Sequence, residues 1–443
     1  MRYTSAMIPP EFVNWFRFSA PYINAFRGKT FVLAFGGEMV SDGKFVGLTH
    51  DINLLASLGV RIVLVHGARP QIESRLEEAG ISGHYVEGMR VTDPLALQQV
   101  KEAVGRLRVE IEALLSMGLA NSPMANADIR VSSGNFITAK PIGVISGVDL
   151  QYTGQVRKVD AVAIKSRLDF GEIVLLSPLG YSPTGEIFNL TLEEIATQAA
   201  ISLKADKLIF LMEEEGIRDA SGRLLRELSI SNAESLVGMG HLSGDTAHYL
   251  PCALKSCRSG VGRAHFVSRH VDGALILELF THEGIGSMLT RDILESLREA
   301  RIEDVGGILA LIEPLEAEGV LVRRQRERLE MEIDRFFVLE HDRMVIGCAA
   351  LYPYPEEGRG EIACLVVHPE FRNSGVGDRL LARLEEKARK LGLDAVFVLT
   401  TRTAHWFVER GFQEAGVADL PEQKQSLYNY KRRSKVFLKR FSA

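Results

Sequence analysis

The stretch that decides the fold lies near the C-terminus and reads Glu361-Ile362-Ala363-Cys364-Leu365-Val366-Val367-His368-Pro369-Glu370-Phe371-Arg372-Asn373-Ser374-Gly375-Val376-Gly377. An apolar run that stops at a proline predicts a buried strand. The Arg-x-x-Gly-x-Gly pattern after it predicts a turn that opens a helix, because apolar residues then recur on one helical face at Leu380, Leu381, Leu384 and Ala388. N–H groups at a helix N-terminus bind anions, and glycines let a phosphate approach the main chain closely. The stretch therefore predicts a site for a pyrophosphate group.

The surroundings of this turn narrow the interpretation, since the pattern alone also fits an ordinary strand–helix connection. The acidic Glu361 begins the strand, and Trp406-Phe407-Val408-Glu409-Arg410-Gly411-Phe412 follows downstream. Together these features resemble the acetyl-CoA-binding core of the GNAT acetyltransferase superfamily, over essentially all of residues 296–443. The resemblance implies acetyl-CoA as cosubstrate and no metal.

Composition excludes several other classes of protein. The chain has 443 residues, 46% of them hydrophobic, and a net charge of -5. This length predicts two or three domains with full-size cores, and the negative charge argues against nucleic-acid binding. No apolar run approaches membrane-spanning length, and the spacing of the four cysteines indicates neither a metal site nor disulfides. We therefore expect a reduced, cytoplasmic protein without a membrane partner.

From Lys29 onward, strands alternate with helices, which predicts an open, mostly parallel α/β sheet. Residues 25–286 resemble the amino-acid kinase fold, most closely the acetylglutamate kinases. The matching segments are Phe35-Gly36-Gly37, His66-Gly67-Ala68-Arg69-Pro70-Gln71-Ile72, Gly88-Met89-Arg90-Val91-Thr92, and Leu208-Ile209-Phe210-Leu211-Met212 with Gly216-Ile217. The expected fold class is thus α/β: an amino-acid kinase-like open sheet sandwich followed by a smaller GNAT acyltransferase domain.

Two departures from the kinase pattern predict that the first domain does not phosphorylate. Kinases of this family usually carry a Lys two residues before the paired glycines, where this chain has Ala34. Their second loop is usually His-Gly-Gly-Gly, whereas here Ala68 and Arg69 follow Gly67. The missing Lys removes a charge that would stabilise a transferring phosphoryl group, and the two Cβ atoms obstruct close approach to the main chain.

The same block resembles the arginine-inhibited acetylglutamate kinases, whose effector site uses a Lys, a His, an acidic residue and a Gly-x-Gly near the domain's end. The resemblance implies an arginine site at Lys204, His270, Glu283, Gly284 and Gly286, with Tyr22 of the N-terminal helix packing on the ligand. A carboxylate such as Glu283 pairs well with a guanidinium. The alternative for each residue alone is an ordinary surface charge or a satisfied histidine.

The domain organisation follows from these segments. We expect a regulatory kinase-like domain over residues 1–286, a linker over 287–298 that is polar enough to be helical, and the GNAT domain over 299–443. Residues 11–26 predict an amphipathic helix, broken by Pro21, whose aromatic side chains suit a subunit interface. The family resemblance implies a homo-oligomer, commonly a hexamer.

Acetyl transfer to an amine needs a held thioester, a base, donors for the oxyanion and a proton for the thiolate. The resemblance places the pantetheine arm along Leu365, Val366 and Val367, and the diphosphate at Arg372, Asn373, Ser374, Gly375, Val376 and Gly377. Glu361 is the candidate base, with a solvated strand-end carboxylate as the alternative. The main chain near Cys364 is the candidate oxyanion donor, and Thr400 or Tyr428 is the candidate acid.

The acceptor is indicated by basic residues around the expected site and by the fusion itself. A kinase-like domain joined to a GNAT domain resembles the bacterial N-acetylglutamate synthases, in which L-glutamate is the acceptor and arginine the feedback effector of arginine biosynthesis. By that resemblance Arg324 and Arg433 bind the glutamate carboxylates, helped by Lys424 or Lys435. Three alternatives stay open: a bifunctional synthase–kinase, an arginine-binding regulator that only senses acetyl-CoA, and an acetyltransferase for another amine.

Overall fold

The computed structural model describes residues 10–240, 242–281, 284–291, 295–341, 344–372, 374–429 and 434–441. The chain folds as two compact units, Met1–Asp292 and Ile293–Ala443. None of the described helices is long and apolar enough to cross a lipid bilayer. Three sequence-predicted residues, Glu283, Asn373 and Arg433, lie outside the described residues.

The first unit alternates strands and helices, as the sequence predicts. Its helices are α1 (Pro10–Phe26), α2 (Glu38–Ser41), α3 (Phe45–Ser57), α4 (Arg69–Glu78), α5 (Pro94–Leu115), α6 (Ala161–Asp169), α7 (Leu192–Leu203), α8 (Ile230–Gly238), α9 (Gly244–Arg258) and α10 (Ala274–Phe280). Its strands are β1 (Thr30–Phe35), β2 (Arg61–His66), β3 (Tyr85–Val86), β4 (Met89–Arg90), β5 (Val131–Ser133), β6 (Ile137–Pro141), β7 (Val144–Ile145), β8 (Val148–Asp149), β9 (Gly154–Val159), β10 (Ile173–Leu176), β11 (Leu179–Tyr181), β12 (Ile187–Asn189), β13 (Lys207–Met212), β14 (Glu227–Ser229), β15 (Arg263–Ser268) and β16 (Ser287–Thr290).

The central sheet of this unit has eight strands in the order β14-β16-β15-β13-β1-β2-β10-β5. Only the β15–β16 pair is antiparallel, so the sheet is mostly parallel. The middle strands read as continuous apolar runs because helices cover both faces. Along β1, Val32 and Ala34 enter the core on one face, whereas Phe31, Leu33 and Phe35 enter the core on the other. A second sheet has the order β12-β11-β6-β9.

Helix α1 continues through Pro21, so the expected break at this residue is wrong. A proline inside a helix removes one hydrogen bond and costs about 3 kcal/mol. Aromatic packing offsets this cost, since Phe26 lies 5.4 Å from both the Phe31 and the Phe280 ring, edge to face. The outer half of the helix exposes Phe12, Phe16 and other large apolar side chains.

The described residues of the linker region 287–298 are mainly extended, contrary to the expectation of a helix. Strand β16 (Ser287–Thr290) lies between β15 and β14. Strand β17 (Glu295–Glu299) pairs antiparallel with β18 of the second unit. Polar residues in this segment suggested a solvated helix, but strand pairing satisfies their main-chain groups instead.

The second unit is a seven-stranded sheet flanked by helices. Its strands are β17 (Glu295–Glu299), β18 (Phe336–His341), β19 (Met344–Tyr354), β20 (Arg359–Val367), β21 (Ala395–Thr400), β22 (Gln413–Ala415) and β23 (Lys435–Arg440), in the order β17-β18-β19-β20-β21-β23-β22. Its helices are α11 (Val305–Ala317), α12 (Arg326–Met331), α13 (Val376–Lys390), α14 (Ala404–Val408) and α15 (Glu422–Ser426). The predicted apolar face of α13 is buried at Leu380, Leu381, Leu384 and Ala388.

Candidate active site and candidate effector site

Strands β20 and β21 separate in the middle of the second sheet. They pair in parallel only at Arg359, Gly360 and Glu361 of β20. Beyond Glu361, β20 pairs with β19 alone, while β21 continues with β23. The main-chain groups of Leu365–Val367 on that side are therefore available to an extended ligand, which would add itself to the strand edge.

A β-bulge lies at the point where the strands separate. Cys364 and Leu365 of β20 stand opposite the single residue Ala349 of β19. Cys364 has φ 52°, a left-handed conformation that is rare for a residue with a Cβ atom. A bulge redirects N–H groups out of the ladder and often lies next to an active site. The bulge thus lies where the sequence places the candidate oxyanion donor, although the sequence alone did not reveal the bulge itself.

The glycine-rich turn leads into α13 as expected. Gly375 occupies the N-cap position with φ 85°, which favours glycine. Gly377 packs closely on Trp406, since a Cβ atom there would lie 3.1 Å from the ring, tighter than an ordinary contact. Arg372 and Ser374 are exposed, and Ser374 donates a hydrogen bond to the Phe371 carbonyl at 2.6 Å. Free N–H groups of the first helical turn and the Arg372 charge together suit a diphosphate.

Glu361 is buried and forms an ion pair with Lys424, with 2.7 Å between Glu361 Oε2 and Lys424 Nζ. The structure thus excludes the alternative of a solvated strand-end carboxylate, and it brings together two of the sequence-predicted residues. Lys424 reaches the strand from α15, which follows the buried Leu420 and Pro421.

Arg324 lies beside the bulge. Its side chain is partly buried, donates to Cys364 Sγ, and lies 5.9 Å from the centre of the Tyr352 ring. Among the described residues it forms no ion pair with a carboxylate, and Tyr352 directs its hydroxyl to Glu332 at 2.7 Å. Burial raises the pKa of Cys364 to about 11, although Arg324 opposes the shift, so the thiol stays protonated at neutral pH. A partly buried guanidinium of this kind is suited to bind an anionic ligand.

The two candidate acids have hydrogen bonds of their own. Thr400 ends β21, and its hydroxyl lies 2.9 Å from Thr403 Oγ1 and accepts the Thr403 N–H at 3.1 Å. Tyr428 donates to the Ser434 carbonyl at 2.6 Å. Lys435 pairs with exposed Glu414 at 3.5 Å, so it is not assembled with Glu361 and Lys424.

The sequence-predicted effector residues of the first unit do not all come together. Lys204 is exposed and precedes the first residue of β13, whereas His270 follows the last residue of β15. These parallel strands are in register, so the two residues lie at opposite ends of a six-residue strand, roughly 20 Å apart. His270 instead contacts Lys44 and lies 2.7 Å from Glu213 Oε2.

A buried charged cluster lies next to Gly284 and Gly286, and sequence reasoning missed it. Glu278 Oε2 accepts the N–H groups of Ile285 and Gly286 at 2.9 Å, and Glu278 Oε1 lies 2.7 Å from His265 Nδ1. His265 Nε2 lies 2.9 Å from Lys207 Nζ. Burial and then the Lys207 charge lower the pKa of His265 to about 4. The only signal that the sequence offered was a Glu six residues before a Gly-x-Gly.

Tyr22 lies close to the same cluster. Its ring is 6.5 Å from the Phe280 ring, two residues after Glu278. Phe26, one turn further along α1, lies 5.3 Å from Lys207 Nζ. The structure thus brings Gly284 and Gly286 to Glu278, and it places Tyr22 beside Phe280 at the end of the same helix.

An acidic side chain lies beside the paired glycines of the kinase-like unit. Ala34 is buried inside β1. A Cβ atom at Gly36 would collide with the Glu38 carboxylate, which fills the space beside the first glycine. His66 is buried, donates from Nδ1 to the Gly67 carbonyl at 3.0 Å and accepts from Ser177 at Nε2 at 2.9 Å; burial lowers its pKa to about 4. The imidazole is therefore neutral and adds no positive charge.

Comparisons with known proteins agree with this two-part arrangement. The family model described as amino acid kinase family matches residues 29–268, and the acetyltransferase (GNAT) family model matches residues 308–412. An amino-acid acetyltransferase of Ralstonia nicotianae is 54% identical over 440 residues, which is 98% of each chain. One from Pseudomonas putida is 55% identical over 431 residues, covering 97% of this chain and 99% of the relative.

A solved structure is similar over the whole length. The N-acetylglutamate synthase of Neisseria gonorrhoeae, crystallised with coenzyme A and L-arginine, is 40% identical with a TM-score of 0.84, covering 98% of this chain and 100% of that one. The same synthase was also crystallised with coenzyme A and N-acetyl-glutamate, and that structure has a TM-score of 0.60.

Fold and site together define an acyltransferase of the GNAT type that carries an amino-acid kinase-fold unit. Both the predicted fold class and the resemblance to the synthases are confirmed. The chain belongs to the family of amino-acid acetyltransferases.

Proposed function

We propose that the protein transfers the acetyl group of acetyl-CoA to the α-amino group of L-glutamate, producing N-acetylglutamate and CoA. We further propose that this is the first step of arginine biosynthesis and that L-arginine inhibits it by feedback from the first unit. The observation that carries the proposal is the arrangement at the bulge of β20. There a partly buried guanidinium without a carboxylate partner among the described residues lies beside an opened strand edge and a buried Glu–Lys pair.

The thioester is held by the chain in two places. Gly375 and the first turn of α13 bind the diphosphate through main-chain N–H groups, with Asn373 included in this proposal. The open edge of β20 at Leu365, Val366 and Val367 binds the pantetheine arm. Acetyl-CoA then supplies the activated acyl carbon, and no metal is needed; no group of three or more potential ligand side chains exists among the described residues.

The acceptor is positioned and deprotonated by side chains around β20. Arg324 binds one carboxylate of glutamate as a bidentate partner, and Arg433 binds the other. Glu361 removes a proton from the ammonium group, and Lys424 holds the Glu361 carboxylate in place. N–H groups of the bulge at Cys364 stabilise the oxyanion of the tetrahedral intermediate.

The departing thiolate receives its proton from Thr400 or Tyr428. The Thr400 hydroxyl shares a hydrogen bond with Thr403, and the Tyr428 hydroxyl donates one to the Ser434 carbonyl. Either bond must break before the hydroxyl can donate to the thiolate. A thiol has an ordinary pKa of about 8.5, so the proton contributes less than the base does. Substituting Thr400→Val and Tyr428→Phe separately identifies the donor, because loss of the donor lowers kcat whereas loss of the other hydroxyl leaves kcat nearly unchanged.

Arginine is proposed to bind the first unit near Gly284 and Gly286. The support is the Neisseria synthase crystallised with L-arginine and the buried Glu278 that fixes this loop. Tyr22 is close enough to pack on a ligand there, and Glu283 stays in the proposal as a guanidinium partner. Lys204 and His270 stay in the proposed arginine site with less structural support, since the two lie at opposite ends of strands β13 and β15.

Two further parts of the proposal concern assembly and location. The apolar side chains exposed on α1, with Phe18 76% exposed, are suited to an interface with other copies of the chain. We propose a homo-oligomer, a hexamer by family resemblance, that acts in the cytoplasm. Size-exclusion chromatography with light scattering tests the oligomer number.

The central experiment measures CoA release with a panel of amino acids, with and without L-arginine. We expect CoA release to require L-glutamate, with aspartate, glutamine and lysine far weaker, and arginine to reduce the rate. Glutamate-independent binding of acetyl-CoA without turnover would support the sensor alternative. An equal rate of CoA release with another amine would show that glutamate is not the specific acceptor. ATP consumption with N-acetylglutamate would support the bifunctional alternative.

A further inference from the structure

Strand β17 and helix α13 are joined by two ion pairs at different heights of the helix, one to an arginine and one to a lysine. Glu295, Leu297 and Glu299 alternate along β17, so they share one face of the strand. Glu295 binds Arg379 in the first turn of α13, and Glu299 lies 3.1 Å from Lys387, two turns further along the helix. Leu297 packs on the core between them.

Glu295 is linked to both sides of the glycine-rich turn, directly to the helix after it and through His341 to the residue before it. Its Oε2 accepts from Arg379, four residues after Gly375. Its Oε1 lies 3.6 Å from Nδ1 of the buried His341. The His341 ring packs on Phe371 at 5.6 Å, and Phe371 immediately precedes Arg372. One carboxylate therefore connects the residue before the turn with the helix after it.

The first turn of α13 packs on the sheet through the buried Val376 and is also held by polar contacts from the opposite side. Asp378 binds Arg410, whose guanidinium lies 3.9 Å from the centre of the Trp406 ring, and Trp406 packs against Gly377. Those contacts come from the segment after β21. The Glu295–Arg379 pair comes from β17, the edge strand at the other side of the sheet.

We propose that Glu295 is a positioning residue for acetyl-CoA, which holds the glycine-rich turn and the first turn of α13 in the geometry that binds the diphosphate. This inference rests on the proposed acetyl-CoA site. It is separate from the family's reacting groups, because Glu295 contacts neither β20 nor the acceptor residues among its described contacts.

A simple charge argument predicts the opposite effect, which makes the proposal testable. Glu295 is a negative group close to an anion-binding turn, so its neutralisation would strengthen binding of a diphosphate if only charge mattered. If the carboxylate positions the turn, its loss weakens binding. The direction of the change in CoA affinity therefore separates the two explanations.

The experiment compares Glu295→Gln with the matched control Glu299→Gln in the full-length protein. Both variants remove one negative charge and one ion pair between the same strand and the same helix. We measure CoA dissociation by calorimetry, the KM values of acetyl-CoA and glutamate, and thermal stability. We expect E295Q to raise the CoA Kd and the acetyl-CoA KM by about two- to fivefold, the effect of losing one partly exposed ion pair. The glutamate KM and kcat should change less than twofold, and E299Q should match the unchanged protein in all these values.

Arg379→Gln and the double variant E295Q/R379Q complete the test. If Arg379 acts through Glu295, the double variant binds CoA no more weakly than either single variant. A fall in the acetyl-CoA KM of E295Q, or equal changes in E295Q and E299Q, would overturn the proposal. Failure of the unchanged protein to transfer acetyl groups would refute the proposed function instead, while CoA calorimetry would still test Glu295.

Discussion

Replacement of Arg324 provides the most direct test of the proposed acceptor site. Its guanidinium lies against the Cys364 thiol and the Tyr352 ring and has no carboxylate partner among the described residues. In the proposed complex it gains a bidentate bond to a glutamate carboxylate. Arg324→Gln keeps much of the side-chain volume but removes the charge and the fork of donors.

The size of the effect follows from the kind of bond that is lost. A hydrogen bond to a charged group contributes about 1.5–3 kcal/mol, which corresponds to a roughly 10- to 150-fold change in binding. We expect the upper half of this range because the site is partly buried and screening by water is reduced. The glutamate affinity of Arg324→Lys should fall between those of the unchanged protein and Arg324→Gln, since an ammonium group keeps the charge but not the bidentate geometry.

Initial-rate kinetics with both substrates check this prediction. The glutamate KM should rise by the stated factor while the acetyl-CoA KM changes less than about twofold, a split that assigns the lost contact to the acceptor. The neighbouring Arg323 is exposed, so Arg323→Gln removes the same charge one residue away and serves as the control. Equal increases of both KM values in R324Q, or the same glutamate KM in R324Q and R323Q, would refute the reasoning.

Three further predictions follow from the structure. Glu361→Gln should lower kcat by about 10²- to 10⁴-fold, with a deficit that shrinks as pH rises and more amine is already unprotonated; a pH-independent deficit would argue against a base. Gly375→Ala should raise the acetyl-CoA KM with the glutamate KM unchanged, because alanine is strained at φ 85° by about 1–2 kcal/mol; unchanged CoA binding would contradict the assigned turn. The first unit should lose stability in acid, because the pKa values of His66 and His265 fall from the ordinary 6.5 to about 4. The contribution of each neutral histidine to the free energy of unfolding is complete above pH 6.5 and is lost toward pH 4, with about 2 kcal/mol lost for each at pH 5. Urea unfolding at pH 7 and pH 5 measures this loss. His66→Asn and His265→Asn should each flatten the pH dependence of stability.

Local patterns predicted the elements around the pyrophosphate turn well. The proline after β20, the glycines of the turn and the apolar period of α13 are properties of adjacent residues, and they identified a helix that the structure has at Val376–Lys390. The matching segment Leu208-Ile209-Phe210-Leu211-Met212 lies in strand β13, as a fully apolar run between turns is typical of a buried parallel strand.

Predictions failed where long-range pairing decides the structure. The polar segment of β16 and β17 is extended because each strand finds a neighbour far away in the sequence, Arg263–Phe266 and Phe337–His341 respectively. In both strands tertiary contacts override local preference.

Residue types alone also could not reveal which charged groups are buried together. The Glu278–His265 pair joins a helix to a strand, and Lys207 joins them through the parallel register of β13 and β15. Sequence reasoning placed His270 in the effector site because its type and order fitted. The structure separates it from Gly286 by its position after the end of β15 and its contact with Glu213.

The kinase-like unit has a complete sheet and core although Ala34 stands where kinases of this fold usually carry a lysine. Its sheet keeps the parallel order that places Gly36 and Gly67 at neighbouring strand ends, because that order is maintained by the apolar core and not by the phosphate. Beside Gly36, at one of these ends, the Glu38 carboxylate fills the space that a Cβ atom would take. This carboxylate would repel a triphosphate where a kinase of this fold usually supplies a lysine. The core keeps the unit folded without a phosphate, and under the proposed function the unit serves as a binding domain for arginine.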